Sequence, residues 1–241
     1  MTRTILVTGG GTGIGRAVAA RFAASDAVVH ITGRRKDVLV SAAADLGSSV
    51  RPLVCDGTDP EQVTAALDAL DGPIDVLVNN AGGNTDFDLP EQDGLAGVLA
   101  HWRANLDANL ISAVLTTTAV QDKLTEGGSV IHIGSIAADQ GAGSYGAAKA
   151  GLASWNVDLA KQLGARKITA NVVSPGYIRE TEFFRDKLPA ERAEQLIDAT
   201  STGRAGIPAD IAETVYFLAS AGARHITGQT FGVNGGAHPT R

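Results

Sequence analysis

Short β-branched or aliphatic runs alternate along the chain with longer stretches of helical periodicity. The runs are Thr4–Thr8, Val28–Thr32, Val50–Val54, Ile74–Val78, Val130–Ile133 and Ile168–Val173, and a last one follows at Gly228–Val233. Helical patterns fall between them at about residues 14–24, 36–46, 60–70, 101–121, 146–164 and 208–219. Apolar runs with no polar alternation are buried on both faces, and strands that alternate with helices call for a parallel sheet covered on both sides. The expected fold class is therefore α/β, a doubly wound parallel sheet of about seven strands with helices on both faces. No repeat, low-complexity tract or linker interrupts the pattern, which predicts one domain over residues 1–241. In open sheets of this kind ligands bind beyond the carboxyl ends of the strands, so the residues just after each strand carry the functional reading.

Composition narrows the classes. A chain of 241 residues with 44% hydrophobic and 19% charged residues is globular. The formal net charge of −6 and the lack of any basic block argue against a nucleic-acid partner. The single cysteine, Cys55, excludes an internal disulfide framework and fits a reducing compartment. No apolar run is long enough to span a bilayer, and Met1-Thr-Arg-Thr leads straight into a strand pattern, so no membrane association and a cytoplasmic location are expected. His30, His101, His132, His225 and His238 are scattered without metal-ligand spacing. They are read as structural or surface residues, and no metal is expected.

The first strand runs into Thr8-Gly9-Gly10-Gly11-Thr12-Gly13-Ile14-Gly15, where the first helix begins. Glycines there permit unusual backbone angles and close approach, while a helix N-terminus offers free N–H groups to a pyrophosphate. The spacing is Gly9, Gly13, Gly15 rather than the common G-x-G-x-x-G, and the competing reading is a tight strand-to-helix turn. Its place at the first strand–helix junction favours a Rossmann-like dinucleotide site, with Gly9, Thr12, Gly13, Ile14 and Gly15 as candidate contacts. After the second strand come Arg34, Arg35 and Lys36, with no carboxylate. Adjacent cations would attract a 2′-phosphate, favouring NADP(H) over NAD(H), although a solvated helix start explains them too. Asp56 could accept from an adenine amino group or simply close its own turn. The fourth strand ends in Asn79-Asn80-Ala81-Gly82-Gly83, a polar turn whose amides could tie backbone groups together beside a flat ring.

Tyr145 and Lys149 lie four residues apart in a helical stretch, hence on one face. An ammonium at about 4 Å and an effective dielectric of about 20 is worth about 4 kcal/mol, or about three pH units, in favour of a phenolate. That would draw the tyrosine towards neutral pH, where a general acid/base works best. A helix carrying an exposed Tyr and Lys is the plain alternative.

Together, Thr8-Gly9 to Gly15, Asn79-Asn80-Ala81-Gly82, Ser135, Tyr145-x-x-x-Lys149, Ser174-Pro175-Gly176 and Gly228-Gln229 to Asn234-Gly235-Gly236 resemble the short-chain dehydrogenase/reductase family over nearly the whole chain. The similarity is to its single-domain, 3-oxoacyl-carrier-protein-reductase-like kind. The resemblance implies hydride transfer between NADP(H) and a small-molecule carbonyl or secondary alcohol. It implies Tyr145 as proton donor or acceptor, Lys149 as its activator and a nicotinamide-ribose ligand, and Ser135 as a holder of the substrate oxygen. Asn109 would support a water relay to Lys149, with Asn105 one turn earlier as competitor. Asn80, Ala81 and Gly82 would also touch the cofactor, and Pro175, Gly176, Ile178 and Thr181 would flank the nicotinamide and phosphate.

Two departures stand out: Ser135 and Tyr145 are ten positions apart, about three fewer than the family pattern, and one extra residue precedes Thr181. Either Ser135 still faces the tyrosine across a tightened loop, or Ser144 shares its role. Substrate loops are expected at 84–97, with Phe87 and Leu89, and at 179–203, with Phe183, Phe184 and Leu188. Those phenylalanines could line an apolar pocket or pack a helix, and Arg179, Arg185 and Lys187 could meet an acidic substrate or solvent. Trp155 is expected at a helix interface. The helices at 101–121 and 146–164 pair between subunits in the family's tetramers, so a homo-oligomer is expected, a tetramer or possibly a dimer. A non-catalytic NADP(H)-binding sensor or scaffold, or another reaction on the same platform, remains the competing reading.

Overall fold

Alternate residues of each central strand enter opposite cores in a computed structural model that describes residues 2–70, 72–88 and 94–240. Ile5 and Val7 of β1 (Thr4–Thr8), Val76 and Val78 of β4 (Ile74–Asn79), and Ile131 and Ile133 of β5 (Leu124–Ile133) face one side. There they meet Val18, Phe22, Leu39, Ile211 and Val215 from α1 (Gly13–Ala23), α2 (Lys36–Leu46) and α9 (Pro208–Leu218). Leu6, Leu77 and Val130 point the other way, against Val63 and Leu67 of α3 (Pro60–Asp68), Val120 of α5 (Ser112–Val120), and Leu159 and Leu163 of α7 (Gly143–Gly164). The two-residue strand period thus fills two cores from one set of apolar runs.

The sheet has seven parallel strands in the order β3-β2-β1-β4-β5-β6-β7, with β2 at Val28–Gly33, β3 at Val50–Val54, β6 at Thr169–Pro175 and β7 at Thr230–Val233. Strand order reverses between β1 and β4, which opens a crevice at their carboxyl ends. The α3 start is set by Asp59, whose carboxylate accepts from the N–H groups of Glu61 and Gln62 just ahead of Pro60.

Four elements depart from the expected pattern. β5 starts at Leu124, because parallel pairing with β4 continues through a register shift near Ile74 and Val76 despite Gly127 and Gly128. The helix expected from residue 101 begins at Gly94 as α4 (Gly94–Leu106); Leu95, Val98, Leu99 and Trp102 are exposed on it, so its apolar face does not mark a core face. It continues through a π-helical turn at Asp107–Ile111 into α5, and such turns recur at functional sites. Within the expected loop from Ile136 to Gly143 lies a short helix, α6 (Ala137–Gln140), and α8 (Ala190–Asp198) occupies part of the second substrate loop. Leu89, assigned to the first substrate loop, lies outside the described residues. Among the described residues no helix is long and apolar enough to cross a membrane.

Candidate active site

A cavity of about 1570 Å³ follows the crevice at the carboxyl ends of the strands. Most residues singled out from the sequence for a cofactor or catalytic role line it; Gly15, Lys36, Asn105, Asn109 and Ser144 do not.

At the centre, the ends of β1 and β4 are bound to each other. Thr8 Oγ1 accepts from the backbone N–H groups of Asn80 at 3.0 Å and Ala81 at 2.9 Å. Asn80 Nδ2 returns two bonds, to the carbonyls of Thr8 at 2.9 Å and Gly9 at 3.1 Å. Gly9 and Gly13 adopt left-handed φ angles of 65° and 52°, which a side chain would strain. A Cβ on Gly15 would fall on the Gly9 carbonyl oxygen and the Asn80 amide, so this glycine is required by helix packing. A Cβ on Gly13 would meet only Thr181, at 3.4 Å, so the turn faces Thr181 across the crevice. The first N–H groups of α1 have no intrahelical acceptors and open at this point.

Ser135 follows β5, and despite the shortened connection it stands close enough to Tyr145 to act on its phenol; Ser144 instead accepts from Asn105 Nδ2 at 2.9 Å. The Ser135 hydroxyl oxygen also accepts from Ala137 N–H at 3.1 Å. Tyr145 and Lys149 are both buried on α7, as the four-residue spacing requires. The expectation that Lys149 draws Tyr145 towards neutrality is not met. Burial pushes the phenol up to about 12, with the Ser135 hydroxyl pulling weakly the other way. The ammonium donates to the Ile133 carbonyl at 2.8 Å and lies 5.9 Å from the centre of the Tyr145 ring. Burial brings Lys149 itself down to about 8.

The two candidate asparagines do different things. Asn109, inside the π-helical turn, clasps both polar groups of Gly83: its Oδ1 accepts from the N–H and its Nδ2 donates to the carbonyl, each at 2.9 Å. Asn105 is also fully buried; its Oδ1 accepts from Thr85 N–H at 3.1 Å, and its Nδ2 donates to Asp86 at 3.0 Å as well as to Ser144. It therefore joins the first substrate loop to the residue before Tyr145. His132 is buried behind the site, 3.1 Å from Asn79 Nδ2, with its ring tilted against that of Trp155 at 5.1 Å. Burial and then the Lys149 charge lower it to about 3, so it is neutral. Among the described residues no cluster of three or more His, Cys, Asp or Glu could hold a metal.

At the nucleotide end, Arg34, Arg35 and Asp56 line the cavity. Asp56 also accepts from Thr58, so it closes its turn while facing the cavity. Arg35 is engaged by Glu182 at 2.6 Å, and Thr12 Oγ1 donates to the same carboxylate at 3.4 Å. At the other end Phe87, Phe183 and Phe184 pack on one another, and Phe183 reaches the Tyr145 ring at 5.6 Å. Arg185 pairs with both oxygens of Asp88, at 2.8 and 2.9 Å, and Lys187 bonds the Phe87 carbonyl, so both cations fasten the second substrate segment to the first. Arg179 pairs with Glu180 at 3.2 Å. Glu182 was not singled out from sequence; its partner Arg35 lies 147 positions away along the chain.

A doubly wound sheet with a glycine turn at its switch point and a Ser, Tyr and Lys set beside it defines a class of dinucleotide-dependent enzymes. Residues 9–238 match the family model described as enoyl-(acyl carrier protein) reductase, and the chain belongs to the short-chain dehydrogenase/reductase family, as an enzyme of its 3-oxoacyl-carrier-protein-reductase-like kind. The 3-oxoacyl-[acyl-carrier-protein] reductase FabG of Escherichia coli (strain K12) is 36% identical over 241 residues, covering 97% of this chain and 96% of that one. The FabG of Thermotoga maritima is 33% identical over 248 residues, with 97% of each covered. Among solved structures, a blue fluorescent protein from a metagenomic library in complex with NADPH superposes with a TM-score of 0.85 at 33% identity, covering 98% of each chain.

Proposed function

We propose that the protein is an NADP(H)-dependent oxidoreductase that interconverts a carbonyl and a secondary alcohol, with Tyr145 as general acid/base. The observation that carries this reading is the continuity of one cavity from the glycine turn and Arg34–Arg35 to Ser135, Tyr145 and Lys149. The residues present fit the dinucleotide. Arg34 and Arg35 would hold the 2′-phosphate, and the N-terminus of α1 with Thr12, Gly13 and Ile14 would hold the pyrophosphate. Asp56 would receive the adenine amino group, and Asn80, Ala81 and Gly82 would lie along the ribose and ring. Pro175, Gly176 and Ile178 would flank the nicotinamide, with Thr181 beside the phosphates and Lys149 on the ribose.

When bound, NADP(H) supplies or accepts the hydride. The hydroxyls of Ser135 and Tyr145 lie side by side on the cavity wall and would together donate to a carbonyl oxygen, stabilising the negative charge that develops there. Tyr145 then gives its proton to that oxygen. A phenol held near 12 keeps its proton at working pH, so Tyr145 carries the proton that the developing alkoxide takes, and the reverse reaction would need its anion. Lys149, close to its own midpoint at physiological pH, is suited to return a proton to Tyr145, and Asn109 would support the water relay that supplies it. The exposed apolar residues Leu95, Val98, Leu99 and Trp102 on α4, with Ile111 and Val157, support assembly with further copies of the chain, as a tetramer or dimer. Tyr145→Phe tests the assignment: NADPH binding should persist while turnover falls by about 10²- to 10⁴-fold. Retained turnover refutes it.

A further inference from the structure

We infer that the substrate is a neutral carbonyl compound bearing an aromatic or similarly apolar group, and not an anion. The inference rests on the reductase reading above and narrows it.

The chain has six Phe, three Tyr and two Trp, eleven aromatic residues in all. Five of them, Phe87, Tyr145, Tyr177, Phe183 and Phe184, form one cluster in which successive ring centres lie 4.9 to 6.0 Å apart. All five line the cavity. Phe87, Tyr177, Phe183 and Phe184 are only half-buried, so part of each ring remains open. The cluster closes on Tyr145, the proposed proton donor, so a group attached to the reacting carbonyl carbon lies against these rings. Edge-to-face and offset contacts at such spacings favour another ring over an alkyl chain of equal size.

Charge at this end points the same way. Asp88, Glu182 and Asp186 line the cavity here together with two cations, Arg185 and Lys149. That guanidinium is already occupied: it pairs with both Asp88 oxygens and donates to the carbonyls of Glu182 and Phe183. Lys149 is buried on Ile133, and Arg35, at the nucleotide end, is engaged by Glu182. A carboxylate or phosphate entering here would lose hydration near these acidic groups and, among the described residues, meet only cations already engaged by Asp88 and the Ile133 carbonyl. Relatives named for carrier-bound 3-oxoacyl substrates therefore share this chain's fold without fixing its substrate.

The test is NADPH oxidation by the full chain with four ketones: a neutral aryl ketone, its ring-carboxylated analogue, an alkyl ketone of the same carbon count and a 3-oxoacyl-coenzyme A thioester. NADPH binding is followed in parallel by its fluorescence. The neutral aryl ketone should have a kcat/KM at least about tenfold above each of the other three. Asp88→Asn should free Arg185 and raise the ratio of kcat/KM for the carboxylated to the neutral aryl ketone by about threefold or more. Phe183→Ala should lower the ratio for aryl over alkyl ketone. An anionic substrate that matches or beats the neutral one, or ratios unmoved in both variants, overturns the inference and leaves the reductase reading standing. Intact NADPH binding with no turnover of any carbonyl overturns both.

Discussion

Replacing Lys149 by methionine should abolish turnover and yet make the protein more stable. The ammonium is 4% exposed, and among the described residues its one hydrogen bond is to the Ile133 carbonyl and no carboxylate pairs with it. Burial takes its pKa from 10.5 to about 8. At about 1.4 kcal/mol per pH unit, holding the charged form in the folded protein costs about 3 kcal/mol at neutral pH. Methionine, unbranched and apolar, fills much of the same volume but leaves the Ile133 oxygen without its donor, a loss of about 1–2 kcal/mol. The net expectation is a gain of about 1–2 kcal/mol, and for a chain of this size each kcal/mol raises Tm by about 2–4 °C. The sign of the pH dependence follows from the lowered folded-state pKa. Between about 8 and 10.5 the unfolded chain holds a proton that the native protein has lost, so stability of the parent rises with pH through that window. Thermal unfolding of both proteins at about pH 7 and about pH 10 checks it, since the variant's advantage should vanish at the higher pH. A loss of stability at neutral pH, or a gain that does not change with pH, would show that the ammonium is not buried as described.

Glu182→Gln should tighten NADPH binding by about two- to fivefold, because the exposed carboxylate competes with a 2′-phosphate for Arg35. NADH, which has no 2′-phosphate, should respond less; an equal response of both would refute the competition, and paired fluorescence titrations decide it. Asn105→Ala should lower Tm, since it strands the buried groups of Thr85 and Ser144 at about 1–3 kcal/mol, and should raise KM more than it lowers kcat. Unaltered steady-state constants would remove Asn105 from the positioning of the substrate loop.

The fold was legible because it follows from local periodicity. The apolar runs at Thr4–Thr8 and Ile74–Val78 carry the two-residue alternation that loads both cores, and the glycine turn marks the crevice where strand order reverses. The site residues were legible wherever a short motif carries the chemistry, as in Tyr145 and Lys149 on one helical face. What sequence did not reveal depends on where a side chain ends up. Four-residue spacing brings Lys149 near Tyr145 but says nothing of the Ile133 carbonyl that anchors the ammonium, or of the burial that sends the phenol upward. The π-helical turn around Asn109 is equally silent, and the partner that Asn109 clasps from it, Gly83, lies 26 positions away. Arg185 and Lys187 looked like candidates for an acidic ligand only while Asp88 and the Phe87 carbonyl could not be seen beside them.

The double clasp between Thr8 and Asn80 makes one wall of the crevice stiff. Its bonds join the carboxyl ends of two adjacent, buried strands, so that wall cannot spread without disturbing the sheet. The opposite wall is fastened at Arg35–Glu182 and Arg185–Asp88, ion pairs that water and salt reach freely. Among the described residues, passage of large molecules is therefore expected on the side of these pairs, where ionic strength should affect how readily the crevice opens. Added salt should quicken release of a bound dinucleotide for a reason separate from its weakening of phosphate contacts, since it loosens the shutter while leaving the sill in place.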